Sequence, residues 1–147
     1  MAGEVKNFNS PDETRPFEGK GEAQVVNVGG HTIGKAVFEP GWKWSTNVKP
    51  IAQTDSCQAH HLGYCISGAM TIQMEDGATL EIGPGDVFEI PPGHDAEVTG
   101  DEPCVNIDFG GFGDYAKAAV AFSATTPSKP PGWRRRRTSR KGAKVEE

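Results

Sequence analysis

The stretch Gly83-Pro84-Gly85-Asp86-Val87-Phe88-Glu89-Ile90-Pro91-Pro92-Gly93-His94 carries most of the architectural information in this 147-residue chain. Pro84-Gly85 and Pro92-Gly93 punctuate tight turns, and the segment from Asp86 to Ile90 between them has the length of one short strand. His94 then opens the next strand, where its side chain can point inward. The expectation is a small β-barrel whose mouth holds a metal or a small ligand.

Outward from this stretch, strand-like runs separated by Gly and Pro fall at 23–28, 32–38, 42–45, 56–59, 62–66, 70–74, 79–82, 87–90, 95–99 and 105–109. Their recurrence at roughly 8–12-residue intervals, with no helix of crossover length between them, predicts an all-β antiparallel barrel or sandwich. Glu75-Asp76-Gly77 marks a hairpin joining 70–74 to 79–82, because Asp-Gly supplies the positive φ angles that a tight hairpin turn demands. Residues 1–21 are polar and read as an extended arm. One short C-terminal helix is expected over 114–122, where Tyr115, Ala118, Ala119 and Phe122 recur at helical spacing. The predicted organisation is therefore an arm over 1–21, a barrel plus short helix over 22–122, and a tail over 123–147.

Only 35% of residues are hydrophobic, so part of the chain has too little to bury. The charge distribution identifies that part. Residues 123–147 hold eight Lys and Arg against two Glu, a balance of +6, which leaves −11 over the first 122 residues out of an overall −5. Pro-rich and then like-charged, this basic tail is expected to be disordered. Arg134–Arg137 beside Trp133 has the composition for phosphate contacts and base stacking. The acidic body opposes approach to a polyanion, so nucleic acid is not the expected partner. Three cysteines make no disulfide framework, and no apolar run approaches the ~18–20 residues of a membrane span. These features point to a cytoplasmic protein with no membrane partner.

The turn pattern resembles the cupin superfamily, small single-domain RmlC-like barrels of double-stranded β-helix (jelly-roll) architecture, over about residues 22–110. Gly85, Pro91 and Gly93 match the second cupin motif, whose His position falls on Ala96; this chain offers His94 instead, two residues earlier on the same strand face. Gly68 matches the glycine closing the first motif, which places His61 at that motif's Glu position. Counting back from Gly68, the motif's His pair falls on Asp55 and Cys57; counting forward from Pro40-Gly41, it falls on Asn47 and Lys49. Either way His61 keeps an inward position and the His-x-His pair is missing. The resemblance implies a metal-supporting fold, a small-molecule ligand and a homodimer, while the departures leave the usual three-His-one-Glu site incomplete.

His61 and His94, completed by Cys57 and by Asp55 or water, form a candidate metal set. Cys/His/His donors suit zinc or another soft divalent ion at about 2.0–2.3 Å, whereas the resemblance brings iron and manganese into range as well. The competing reading is a metal-free pocket in which the two histidines bond a ligand or each other. His60 is expected outside, His31 in a solvated loop, and Cys65 and Cys104 as buried packing residues. Trp42 and Trp44 share one side of a predicted strand, forming either an aromatic wall for a ligand, with Asp55 as a further ligand-binding residue, or the cover of an outer face.

Three functions follow. The first is a small-molecule-binding barrel, metal-binding or not, with a regulatory or sensing role. The second is a metal-dependent enzyme (an oxygenase, isomerase or lyase) using His61 and His94. The third is a dimeric interaction module recruiting an acidic partner through its basic tail.

Overall fold

The computed structural model describes residues 2–113 and 115–117. Two antiparallel sheets face one another. The larger has the strand order β1-β2-β3-β9-β4-β7, formed by Glu13–Pro16, Gly21–Val28, His31–Phe38, Cys104–Asp108, His61–Ser67 and Val87–Ile90. The smaller has the order β6-β5-β8, formed by Thr79–Ile82, Ala69–Met74 and His94–Thr99. This is the expected double-stranded β-helix. Among the described residues, no helix is long and apolar enough to cross a membrane.

The predicted turns fall where the backbone requires them. Gly77, Gly85 and Gly93 have φ of 95°, 87° and 94°, a region that costs glycine little and other residues much. Gly68 adds a steric reason to its φ of 78°, because a Cβ there would stand 2.2 Å from the carbonyl oxygen of Pro103. Alternating residues of facing strands then build the core, with Ala36 and Phe38 from β3, Met70 and Ile72 from β5, and Ala96 and Val98 from β8 all buried. Phe38 also packs against Trp42 with ring centroids 4.4 Å apart and stacks on Phe17 at 5.4 Å.

Three expectations are corrected. Residues 42–45 do not form a strand: Lys43 makes a single bridge to Glu97, and a short helix α1, Trp44–Asn47, follows. The Asp95 carboxylate accepts the Ser45 N–H and the Asn47 side chain accepts the Lys43 N–H, so local side-chain bonds win over a ladder. Residues 56–59 likewise reduce to one bridge, Cys57 to His94, since Ser56 bonds Glu75 and is bonded by Gln58. A second short helix α2, Lys49–Ala52, lies before it.

The arm over 1–21 contributes β1, whose Arg15 is buried because Glu13 and three carbonyls satisfy its guanidinium. Of the predicted helix over 114–122, only 115–117 are described; they form a turn, with Ala116 at a φ of 54°. The predicted tail lies outside the described residues.

Candidate metal centre

Three chain segments converge at one end of the barrel. Cys57 comes from the link preceding β4, His61 is the first residue of β4, and His94 is the first of β8. One donor atom from each lies within 4.8 Å of the others, and all three side chains are buried. Cys57 and His94 are tied through the main chain: Cys57 N–H donates to the His94 carbonyl at 2.8 Å, and Gly93 N–H to the Cys57 carbonyl at 2.7 Å.

Each imidazole is oriented by a partner on its other nitrogen. His61 donates Nδ1–H to Asp108 Oδ2 at 2.5 Å, and His94 donates Nδ1–H to the Pro91 carbonyl at 2.7 Å. A neutral imidazole oriented in this way presents its Nε2 lone pair, the arrangement that metal-binding histidines adopt. The turn residues Pro91-Pro92-Gly93 thus position His94 and also supply its acceptor. Cys57 Sγ stands 3.7 Å from His61 Nε2. Sulfur and nitrogen sharing a tetrahedral zinc ion at its usual bond lengths would be about 3.6 Å apart. The donor set fits a soft divalent ion.

Burial sets the protonation states. It pushes the Cys57 thiol up to about 12, with the Asp108 and Asp95 charges adding to the effect, so the metal-free thiol keeps its proton at neutral pH. It lowers His94 to about 4, leaving that imidazole neutral. The Tyr115 phenol is likewise driven well above its ordinary value by burial.

Aromatic rings cover the centre. Tyr115 and Phe112 stack at 4.7 Å and meet His61 edge-on at 5.2 and 6.1 Å. Their segment is held down by Arg15, which donates to the carbonyls of Phe112 and Tyr115 at 2.8 and 2.7 Å. Gly111 permits the close approach, because a Cβ there would lie 2.7 Å from His61 Nδ1. Beneath the rings is a small apolar cavity of about 40 Å³, bordered by Trp42, Trp44, His61, His94, Asn106 and Asp108 among others. A wider pocket of about 430 Å³ reaches Cys57 and shares Trp44 and Tyr115 with the inner one.

The structure thus gathers Cys57, His61 and His94 and turns Trp42 and Trp44 inward. Asp55 is corrected: it is exposed and borders neither cavity, because the bend at 54–56 carries it to the surface. His60 is exposed and pairs with Glu89, and His31 is exposed at the start of β3. Cys65 and Cys104 are wholly buried. Asp108 was missed. Its signal is the run Cys104-Val105-Asn106-Ile107-Asp108, in which one face of a strand is polar or small and the other apolar. Such a strand facing its polar side inward serves a site rather than a core.

Architecture and site together define a jelly-roll barrel with a buried, three-donor Cys/His/His pocket at its mouth. A family model described as a cupin domain matches residues 52–110. The sequence finds no significant match among curated proteins. Among solved structures it is similar to KdgF from Halomonas sp., at 18% identity over 74% of this chain and 91% of that one, with a TM-score of 0.50. It is also similar to the polyketide cyclase RemF from Streptomyces resistomycificus, at 18% identity over 74% and 78%, TM-score 0.50. A third similar structure is a cupin-superfamily sugar phosphate isomerase from Silicibacter pomeroyi, at 17% identity over 71% and 73%, TM-score 0.50. At these identities the likeness is one of fold.

Proposed function

We propose that this protein is a metal-binding cupin in which Cys57, His61 and His94 hold a divalent ion, zinc by donor chemistry, leaving a coordination position for a small ligand. The 3.7 Å spacing of Cys57 Sγ and His61 Nε2, with both imidazoles oriented through Nδ1, carries this reading. Once bound, the ion supplies Lewis acidity and a template for an oxygen ligand. The chain's own residues do the rest. Asp108 and the Pro91 carbonyl fix the imidazoles, Tyr115 and Phe112 shield the centre from water, and the inner cavity limits what can enter.

Catalysis as a metal-dependent enzyme is the second reading, favoured by the three-donor count. Structural zinc sites close with four protein ligands, whereas catalytic ones keep a position open. Elemental analysis of protein purified without chelator tests the shared premise. About one zinc per chain is expected, lost in His61→Ala and His94→Ala; a wild-type content far below one, unchanged by either substitution, would overturn it.

A further inference from the structure

Asn106 lies in the middle of β9, with its backbone paired on one side to Ala36 of β3 and on the other to Cys65 of β4. Its side chain points into the barrel: the residue is 7% exposed, and the cavity it borders is the inner one. The carbonyl end of its amide takes a long 3.6 Å contact from the Cys104 thiol. The Nδ2 end offers two N–H donors and meets no acceptor among the described residues.

Lack of a partner does not by itself make a site, because a polar atom can be sealed in a core with no room beside it. The Trp42 and Trp44 indole nitrogens are in that position, and the Asn106 amide is not. An amide that has no protein acceptor and is not sealed has free space before it, and for Asn106 that space is the inner cavity. Register sets its depth. The inward positions of β4 run His61, Gly63, Cys65, and Asn106 stands level with Cys65, beneath the His61 end of the barrel. Phe38, Met70, Ile72 and Ala96 supply an apolar wall to the same cavity.

We infer that Asn106 is a specificity residue whose Nδ2–H groups donate to a neutral carbonyl oxygen at the inner end of a small ligand. The inference rests on the metal reading above only for the ligand's outer end, which would meet the ion beside His61 and His94. A neutral acceptor fits better than an anion, because one uncharged amide among apolar walls cannot offset the desolvation of a carboxylate. Asp108 borders the same cavity and adds a charge that opposes a second anion. A donor at the ligand's inner end is rejected, since it would face N–H groups and leave both sides unsatisfied.

Side-chain amide resonances of full-length protein labelled with nitrogen-15 test this. Asn106→Asp keeps the shape, identifies the Asn106 pair by its disappearance and replaces donors with an acceptor. If that variant fails to fold, through-bond correlation to the Asn106 backbone assigns the pair in wild type. The titrants are acetone as neutral acceptor, sodium acetate as charged acceptor and ethylammonium chloride as donor, with metal-free and zinc-treated protein and with zinc uptake measured alongside. The expected result is a saturable downfield shift of the Asn106 amide protons with acetone, about tenfold weaker binding of acetate, and no shift with ethylammonium. Asn106→Asp should lose acetone binding and keep its zinc uptake. An Asn106 pair that stays fixed under acetone, or contacts only a long-lived water, overturns the assignment, and stoichiometric zinc in those samples leaves the metal reading standing. Acetate bound as tightly as acetone overturns the neutral ligand class. A saturable acetone response in protein that takes up no zinc supports the role of Asn106 and overturns the metal reading instead.

Discussion

Asp108, the last residue of β9, accepts a hydrogen bond from Nδ1–H of His61, the first residue of β4, at 2.5 Å in a buried contact. The same carboxylate accepts the N–H groups of Gly110 and Gly111 at 3.0 and 2.5 Å. One side chain therefore sets the tautomer of a candidate ligand and anchors the turn that carries Phe112 over it.

Asp108→Asn keeps the shape and removes the charge. Zinc affinity should fall about 10–100-fold, the usual cost of losing a partner that orients a ligand. Competition against a chromogenic chelator measures it. Affinity equal to wild type would show that His61 needs no carboxylate.

Metal binding should release the Cys57 proton, because burial holds that thiol protonated at neutral pH. Apparent affinity should rise about tenfold per pH unit between roughly pH 6 and 8. Cobalt-loaded protein should show a thiolate charge-transfer band. Cys57→Ser should lose both the band and that proton's share of the slope.

Acid should weaken the metal-free fold through His94. Its folded value, about 4, lies below its ordinary 6.5, so the unfolded chain binds the proton more readily. Stability is then complete above about pH 6.5 and declines as pH falls towards 4, by on the order of 3 kcal/mol for this group. Urea denaturation across that range, in wild type and His94→Gln, should show a shallower pH dependence in the variant.

Arg15→Met should cost about 2–4 kcal/mol, since it strands the Phe112 and Tyr115 carbonyls that the guanidinium now satisfies. Chemical denaturation gives the value. Faster hydrogen exchange at residues 111–116 should accompany it if Arg15 holds that segment down.

Gly34→Ala places a Cβ 1.9 Å from the Phe112 ring. Overpacking of this kind costs about 1–3 kcal/mol. Adding Phe112→Leu should recover part of the loss, and a double-mutant cycle would show the coupling as non-additivity.

The turns were the legible part of the chain, because Pro84-Gly85, Pro92-Gly93 and Asp76-Gly77 act locally and need no tertiary context. Inward placement of His61 and His94 followed from the strand period once the barrel was recognised. What escaped depended on contacts distant in sequence. Arg15 is buried by carbonyls about 100 residues away, and polarity alone had marked its segment as an arm. The segment 42–45 curls into α1 because Asp95 supplies a partner that no local reading contains. Asp108 was hidden by a strand that turns its apolar side out. On β4, too, Leu62, Tyr64 and Ile66 are substantially exposed while His61 and Cys65 face inward, the reverse of the usual amphipathic rule.

The bridge between Cys57 and His94 is built from backbone atoms. Its hydrogen bonds involve no side-chain atom of position 57. Exchanging that one residue for histidine, aspartate or glutamate would alter the hardness of the donor set, at the cost of fitting a larger or charged side chain into a site where Cys57 is 3% exposed. Were a metal held there, position 57 would be the donor whose exchange changes the character of the set while the backbone tie to His94 persists.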